Sequence, residues 1–183
     1  MKKGYTALLL PAMLLPYVAL FALAGVFSST QLPFFQWMMA CVFQGNAWYL
    51  IAAVGCFILL AVVSSLIFFG LSIYKKWDPL TLAKTAIIIK CIQIPAYLLI
   101  FVLGVVMLIT IFTFPFAVAL CFLDGVTLFL TGLVVISSVI NAVRQKHISR
   151  KDALLFAVLQ FVFVADIISS VFLFRRLSKG KNR

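Results

Sequence analysis

The sequence is poor in charge and in almost everything that builds a soluble active site. It contains no glutamate, and its four acidic residues, Asp78, Asp124, Asp152 and Asp166, stand against 15 lysines and arginines. Only 10% of residues are charged and 66% are apolar, where a soluble domain has about 25% and 45–50%. Too few polar side chains remain to cover a water-soluble core of this size, so lipid must solvate the outward surface. The single histidine, His147, lies in a basic loop without ligand neighbours, and the four cysteines (Cys41, Cys56, Cys91, Cys121) have no metal or redox spacing. HExxH, GxSxG and paired-cysteine motifs are absent. Two intramembrane aspartates formally meet the need of an aspartyl protease, but Ala165-Asp166-Ile167 is not followed by the glycine such a site uses. The sequence therefore reads as non-enzymatic, with no cofactor and no metal.

What is present is apolar length. Five stretches reach the ~20 residues a helix needs to cross ~30 Å of hydrocarbon: 5–27, 49–74, 85–110, 115–143 and 153–174. Backbone groups in lipid must bond internally and the alternation of a membrane β-strand is missing, so the expected fold is an all-α, polytopic transmembrane bundle in one integral domain. Met1-Lys2-Lys3 and Ala22-Leu23-Ala24 imitate a signal peptide, but the first run exceeds an h-region and reads as an uncleaved span bent at Pro11 and Pro16. Residues 28–47 are uncharged; the segment near 33–44, with Pro33 and Phe34-Phe35-Gln36-Trp37, suits a short interfacial or re-entrant helix. Trp48 and Tyr49, then Tyr74 and Trp77, mark two aromatic belts, and Asp78-Pro79 is a helix start signal.

The net charge of +11 is gathered at the ends of apolar runs. That placement suits anionic lipid headgroups and topology signals, not nucleic acid. With a cytoplasmic N-terminus in a cell membrane, nine loop and N-terminal basic residues face inside and five crossings leave the basic tail 175–183 outside with five. The tail breaks the positive-inside expectation. A re-entrant final segment would repair it, but the insertion sum favours a span. Fifteen Leu, Ile, Phe or Val in 153–174 contribute roughly −7 kcal/mol against about +3 for Asp166. The expectation is five spans with the C-terminus extracellular.

Three ionisable residues fall inside spans, and each requires a partner or a task. At 100° per residue, Lys90, Gln93, Tyr97 and Gly104 share about 60° of the third span. Asp124, Thr127, Thr131, Ser138 and Asn141 share about 100° of the fourth, while Asp166, Ser169 and Ser170 share about 100° of the fifth, with Gln160 roughly 80° further round. Gly125 and Gly132 lie on another face, suited to close helix contact. Turning the stripes together gives a candidate ligand site of Lys90, Gln93, Tyr97, Asp124, Thr127, Thr131, Asp166 and Ser170, with spans one and two as lipid-facing support. Two nearby carboxylates in low dielectric would share a proton or a cation. The structural alternative is that the stripes only bond neighbouring helices, with Lys90 clamping Asp124 and Asp166 bonding Gln93 or Tyr97.

The stretch Ile87-Ile88-Ile89-Lys90-Cys91-Ile92-Gln93-Ile94-Pro95-Ala96-Tyr97 is similar to segments of small, uncharacterised multi-pass membrane proteins of Gram-positive bacteria. The resemblance implies a bacterial cell-membrane location and no known activity. Pro95 itself frees a carbonyl around Cys91, close to Lys90. Two functions fit. One is a carrier or binding protein for a proton, cation or amine-bearing or amphiphilic small ligand. The other is a non-catalytic accessory or immunity-type protein acting on a membrane-protein partner or on a second copy of itself.

Overall fold

The computed structural model describes residues 3–28, 32–109, 113–161 and 165–181, and every regular element among them is helical. A 3₁₀ segment, Lys3–Leu9, leads into α1 (Leu10–Ser28). Then come α2 (Pro33–Cys41), α3 (Ala47–Tyr74), α4 (Pro79–Leu108) and α5 (Phe114–Arg144). The chain closes with α6 (Arg150–Val158), a 3₁₀ turn Leu159–Phe161 and α7 (Ala165–Lys181).

Among the described residues, four segments are long and apolar enough to cross a membrane: Tyr5–Val26, Ala47–Tyr74, Pro79–Leu108 and Phe114–Arg144. At 1.5 Å per residue, α3, α4 and α5 each reach about 42–46 Å, the hydrocarbon core plus both boundaries. The helix starts follow their local chemistry. Asp78 caps α4 by accepting from the Thr81 amide at 3.0 Å and the Thr81 hydroxyl at 2.7 Å, with Pro79 in the first turn. Asn46 accepts from the Trp48 amide at 2.9 Å to start α3. The third span thus begins at Pro79, not residue 85, and the expected end at residue 110 lies outside the described residues.

The expected fifth span is not among the segments of the described residues that are long and apolar enough to cross. Residues 153–174 divide between α6 and α7, and the two helices run antiparallel. Arg176 near the end of α7 bonds Asp152 at the start of α6 at 2.8 Å, and Gln160 in the 3₁₀ turn after α6 meets Ser169 in α7 at 2.6 Å. Each arm runs about 15–20 Å from its basic end to the turn, well short of the ~30 Å core. The pair is an antiparallel hairpin, so the end of α7 lies beside the start of α6 at the basic end of the bundle.

Packing explains why it stays there. Leu173 and Leu177 of α7 and Phe156 of α6 are buried in one apolar core with Phe68, Trp77, Leu82, Ala86, Val135 and Val139. Gly132 of α5 lies against the hairpin turn, where an added Cβ would sit 3.5 Å from Cβ of Gln160. Gly125, expected to share that contact, is exposed and meets nothing. At the basic end Trp77 is buried between Tyr5 and Phe68, ring centroids 5.1 and 5.2 Å away, so it is a core residue and not part of the expected belt. Trp48, Tyr49 and Tyr74 do face outward. At the opposite end α2 tucks Met38 under Gly25 and turns Phe34 and Trp37 outward, the form of an interfacial helix. The four cysteines also face outward, which makes them lipid-side residues and not packing residues.

Candidate functional site

The buried polar cluster lies where the hairpin turn meets α4 and α5. Lys90 is 11 residues into α4, Gln160 is 10 residues past Arg150, in the 3₁₀ turn, and Asp166 is nine short of Arg175 in α7. All three therefore sit about 13–17 Å along their helices from the basic end of the bundle. Lys90 is 1% exposed and level with Gln160 and Asp166, while Asp124, 20 residues before Arg144 in α5, lies about 30 Å from that end, beside Tyr97.

The Lys90 ammonium donates to Asp166 Oδ2 at 2.5 Å and to Gln160 Oε1 at 2.9 Å. Gln160 is held in turn: its Nε2 donates to Ser169 Oγ at 2.6 Å and to the Phe156 carbonyl at 3.3 Å. Ser169 and Ser170 donate to the Asp166 carbonyl at 3.0 and 2.7 Å, fixing the first turn of α7. Asp166 is in that first turn, where the helix dipole favours a negative charge. The partner expected for Lys90 was Asp124; the structure gives it Asp166. The amide of Gln160 was expected to lie outside the site and is a direct ligand of the ammonium.

Gln93 and Tyr97 continue the cluster along α4. Tyr97 donates from its hydroxyl to Gln93 Oε1 at 3.3 Å and also lies in hydrogen-bonding reach of Thr131. Gln93 Nε2 donates to the Ala12 carbonyl at 3.0 Å. That carbonyl is the one Pro16 leaves without its helical partner, since proline has no N–H four residues on. Tyr17 donates to the Ile92 carbonyl, next in the chain to the Cys91 carbonyl that Pro95 frees. The first span therefore forms one wall of the site, where lipid-facing support was expected.

The α5 stripe divides in function. Ser138 donates to the Pro79 carbonyl at 2.7 Å, and Asn141 donates to the Ser72 and Trp77 carbonyls at 3.0 and 3.2 Å, clasping the α3–α4 turn. Thr127 and Thr131 are buried and bond back to the Leu123 and Thr127 carbonyls at 2.8 and 3.0 Å. Asp124 is different. It is half-buried, within electrostatic reach of Asp166 and of the Tyr97 hydroxyl, and its Oδ1 is shielded from solvent with no hydrogen-bond partner among the described residues.

The eight expected site residues thus fall into three groups. Lys90 and Asp166 meet directly, with Ser170 supporting Asp166. Gln93, Tyr97 and Thr131 form the adjoining chain, with Thr127 bonded within its own helix. Asp124 stands beside them, uncompensated. Sequence reasoning missed Gln160 and Ser169 as first neighbours of the pair. The available signal was an amide inside an otherwise apolar run, which in lipid must find a partner. Compared with protein-family models, with curated proteins and with solved structures, the chain matches none.

Proposed function

We propose that the protein is a small carrier of a proton, a monovalent cation or an amine-bearing ligand in the cell membrane, with its basic end cytoplasmic. One observation carries the reading: the cluster holds two carboxylates, Asp124 and Asp166, against one ammonium, Lys90. Lys90 is committed to Asp166 at 2.5 Å, and the buried Oδ1 of Asp124 has no partner among the described residues. An isolated carboxylate is expensive in hydrocarbon, and binding a proton or cation removes that cost. Asp124 is then the binding group, and the Lys90–Asp166 pair is the latch that holds the hairpin while the site is occupied or empty. The placement of the basic end follows from its concentration of Lys and Arg.

The accessory or immunity-type reading is favoured by a different observation. Lys90, Gln93, Gln160, Ser169 and Asp166 all bond one another or the backbone within the chain, as static packing would require. The two separate in sealed proteoliposomes carrying an internal pH- or cation-sensitive dye. A carrier dissipates an imposed proton, potassium or alkylammonium gradient, and Asp124→Asn abolishes the flux while the helical circular dichroism is kept. Flux equal to that of empty liposomes, or unchanged in Asp124→Asn, removes the carrier reading.

A further inference from the structure

A concavity of about 660 Å³ at the basic end is independent of the buried cluster. Its polar lining is Arg144 from the last turn of α5, Lys146 and His147 from the α5–α6 turn, Arg150 and Asp152 from α6, and Arg176 from α7. Four permanent cations face one carboxylate, and that carboxylate is already occupied. Asp152 accepts from Ser149 Oγ at 2.7 Å and from Arg176 at 2.8 Å. The Ser149 side chain also accepts from the Asp152 amide at 3.2 Å, so the start of α6 is capped within the chain and side chains supply the cationic character.

The cations are positioned as well as numerous. Arg144 donates one guanidinium nitrogen to the Ile73 carbonyl at 3.1 Å, which orients the rest of the fork. Lys146 occupies a left-handed turn position, φ 59°, so the chain reverses beneath the hollow. Arg144, Lys146 and Arg150 are all exposed. Immediately beyond the hollow, toward the membrane interior, the hairpin turns Leu154, Leu155 and Val158 outward. A surplus of positive charge at the boundary, continuous with an outward apolar strip, matches a molecule with an anionic head and apolar tails.

We propose that this hollow is a discrete site for the phosphate head of an anionic phospholipid, held by Arg144, Lys146 and Arg150, with its acyl chains along α6. The full-length protein in detergent is titrated with phosphatidylglycerol, phosphatidylcholine and soluble glycerol phosphate, and retained lipid is counted by native mass spectrometry. The expected result is saturation at one phosphatidylglycerol per chain, with weaker retention of phosphatidylcholine and of glycerol phosphate. Removing two charges by Lys146→Gln with Arg150→Gln weakens binding about 25-fold, from roughly fivefold per basic residue near a lipid headgroup. Removing two charges elsewhere, by Lys76→Gln with Lys84→Gln, leaves it within about fivefold. Equal loss in both variants, or a broad unsaturated series of adducts on the unmodified protein, assigns the attraction to net charge and overturns the site. Glycerol phosphate bound as tightly as the lipid overturns the lipid assignment in favour of a free phosphate. The adduct count on the unmodified chain decides even where a variant does not fold.

Discussion

At the scale of single residues, the fold depends on buried groups that are satisfied only by one another. Lys90 and Asp166 are buried together, 1% and 3% exposed. Breaking such a pair leaves a lone charge where no water reaches, whereas replacing both partners removes both charges. Lys90→Met is therefore expected to destabilise by about 3–5 kcal/mol, and the double variant Lys90→Met/Asp166→Leu to recover most of that loss. Reversible unfolding in mixed micelles, followed by circular dichroism, measures both. Gln93 makes a second case. Its amide answers the Ala12 carbonyl that Pro16 exposes, so Gln93→Leu orphans a backbone acceptor and is expected to cost about 1–3 kcal/mol. Restoring the missing donor with Pro16→Ala should shrink that penalty, and the coupling appears as non-additivity in the same unfolding assay.

At the scale of elements, the hairpin is the part of the fold on which the site depends. Its open end is closed by Asp152, which Ser149 and then Arg176 hold below the usual carboxylate range. The carboxylate is thus harder to protonate in the folded chain than in the unfolded one. Its contribution is fully present above about pH 4 and is lost as the pH falls through the lowered value. Asp152→Asn should remove that acid-side component, so that the melting temperature of the variant and the unmodified protein converge as the pH is lowered. A difference that stays constant down the acid range would contradict it.

The hairpin was also the element least legible in the sequence. The long spans follow from length and hydropathy alone, and the start of α4 from Asp78-Pro79. Residues 153–174 contain neither proline nor glycine, and their apolar sum favours crossing. That sum treats each side chain as if it faced lipid on an isolated helix. Gln160, Ser169 and Asp166 instead gain partners by folding back, and Lys90 loses its cost in the same contact. Gln160 stands in a 3₁₀ turn and Asp166 in a separate helix, so stripes drawn on one continuous helix could not show that both belong to one cluster. The ionisable residues Lys90, Asp124 and Asp166 were legible because lipid makes them conspicuous; which carboxylate Lys90 chooses was not.

At the scale of the molecule, the antiparallel hairpin formed by α6 and α7 gathers basic residues from separate segments at one end. Lys75, Arg144 and Arg176 are gathered at one end: Lys75 donates to Tyr5 Oη at 2.7 Å, Arg144 reaches Ile73, and Arg176 closes the hairpin. The opposite end is uncharged and aromatic around α2, so the two boundaries of the bundle are chemically distinct. The hairpin is what brings Asp166 to Lys90, and the cluster exists only in that topology.

Sided cysteine labelling tests this directly. In a variant lacking the four native cysteines, single cysteines are placed at Gln145, in the α5–α6 turn, at Ser178, near the end of α7, and at Asn46, beyond α2 at the other end. Right-side-out and inverted membrane vesicles are then exposed to an impermeant maleimide. The hairpin predicts that positions 145 and 178 are labelled in the same vesicle preparation and position 46 in the other. Labelling of 178 together with 46, and apart from 145, would show that the last segment crosses the membrane and would contradict the account.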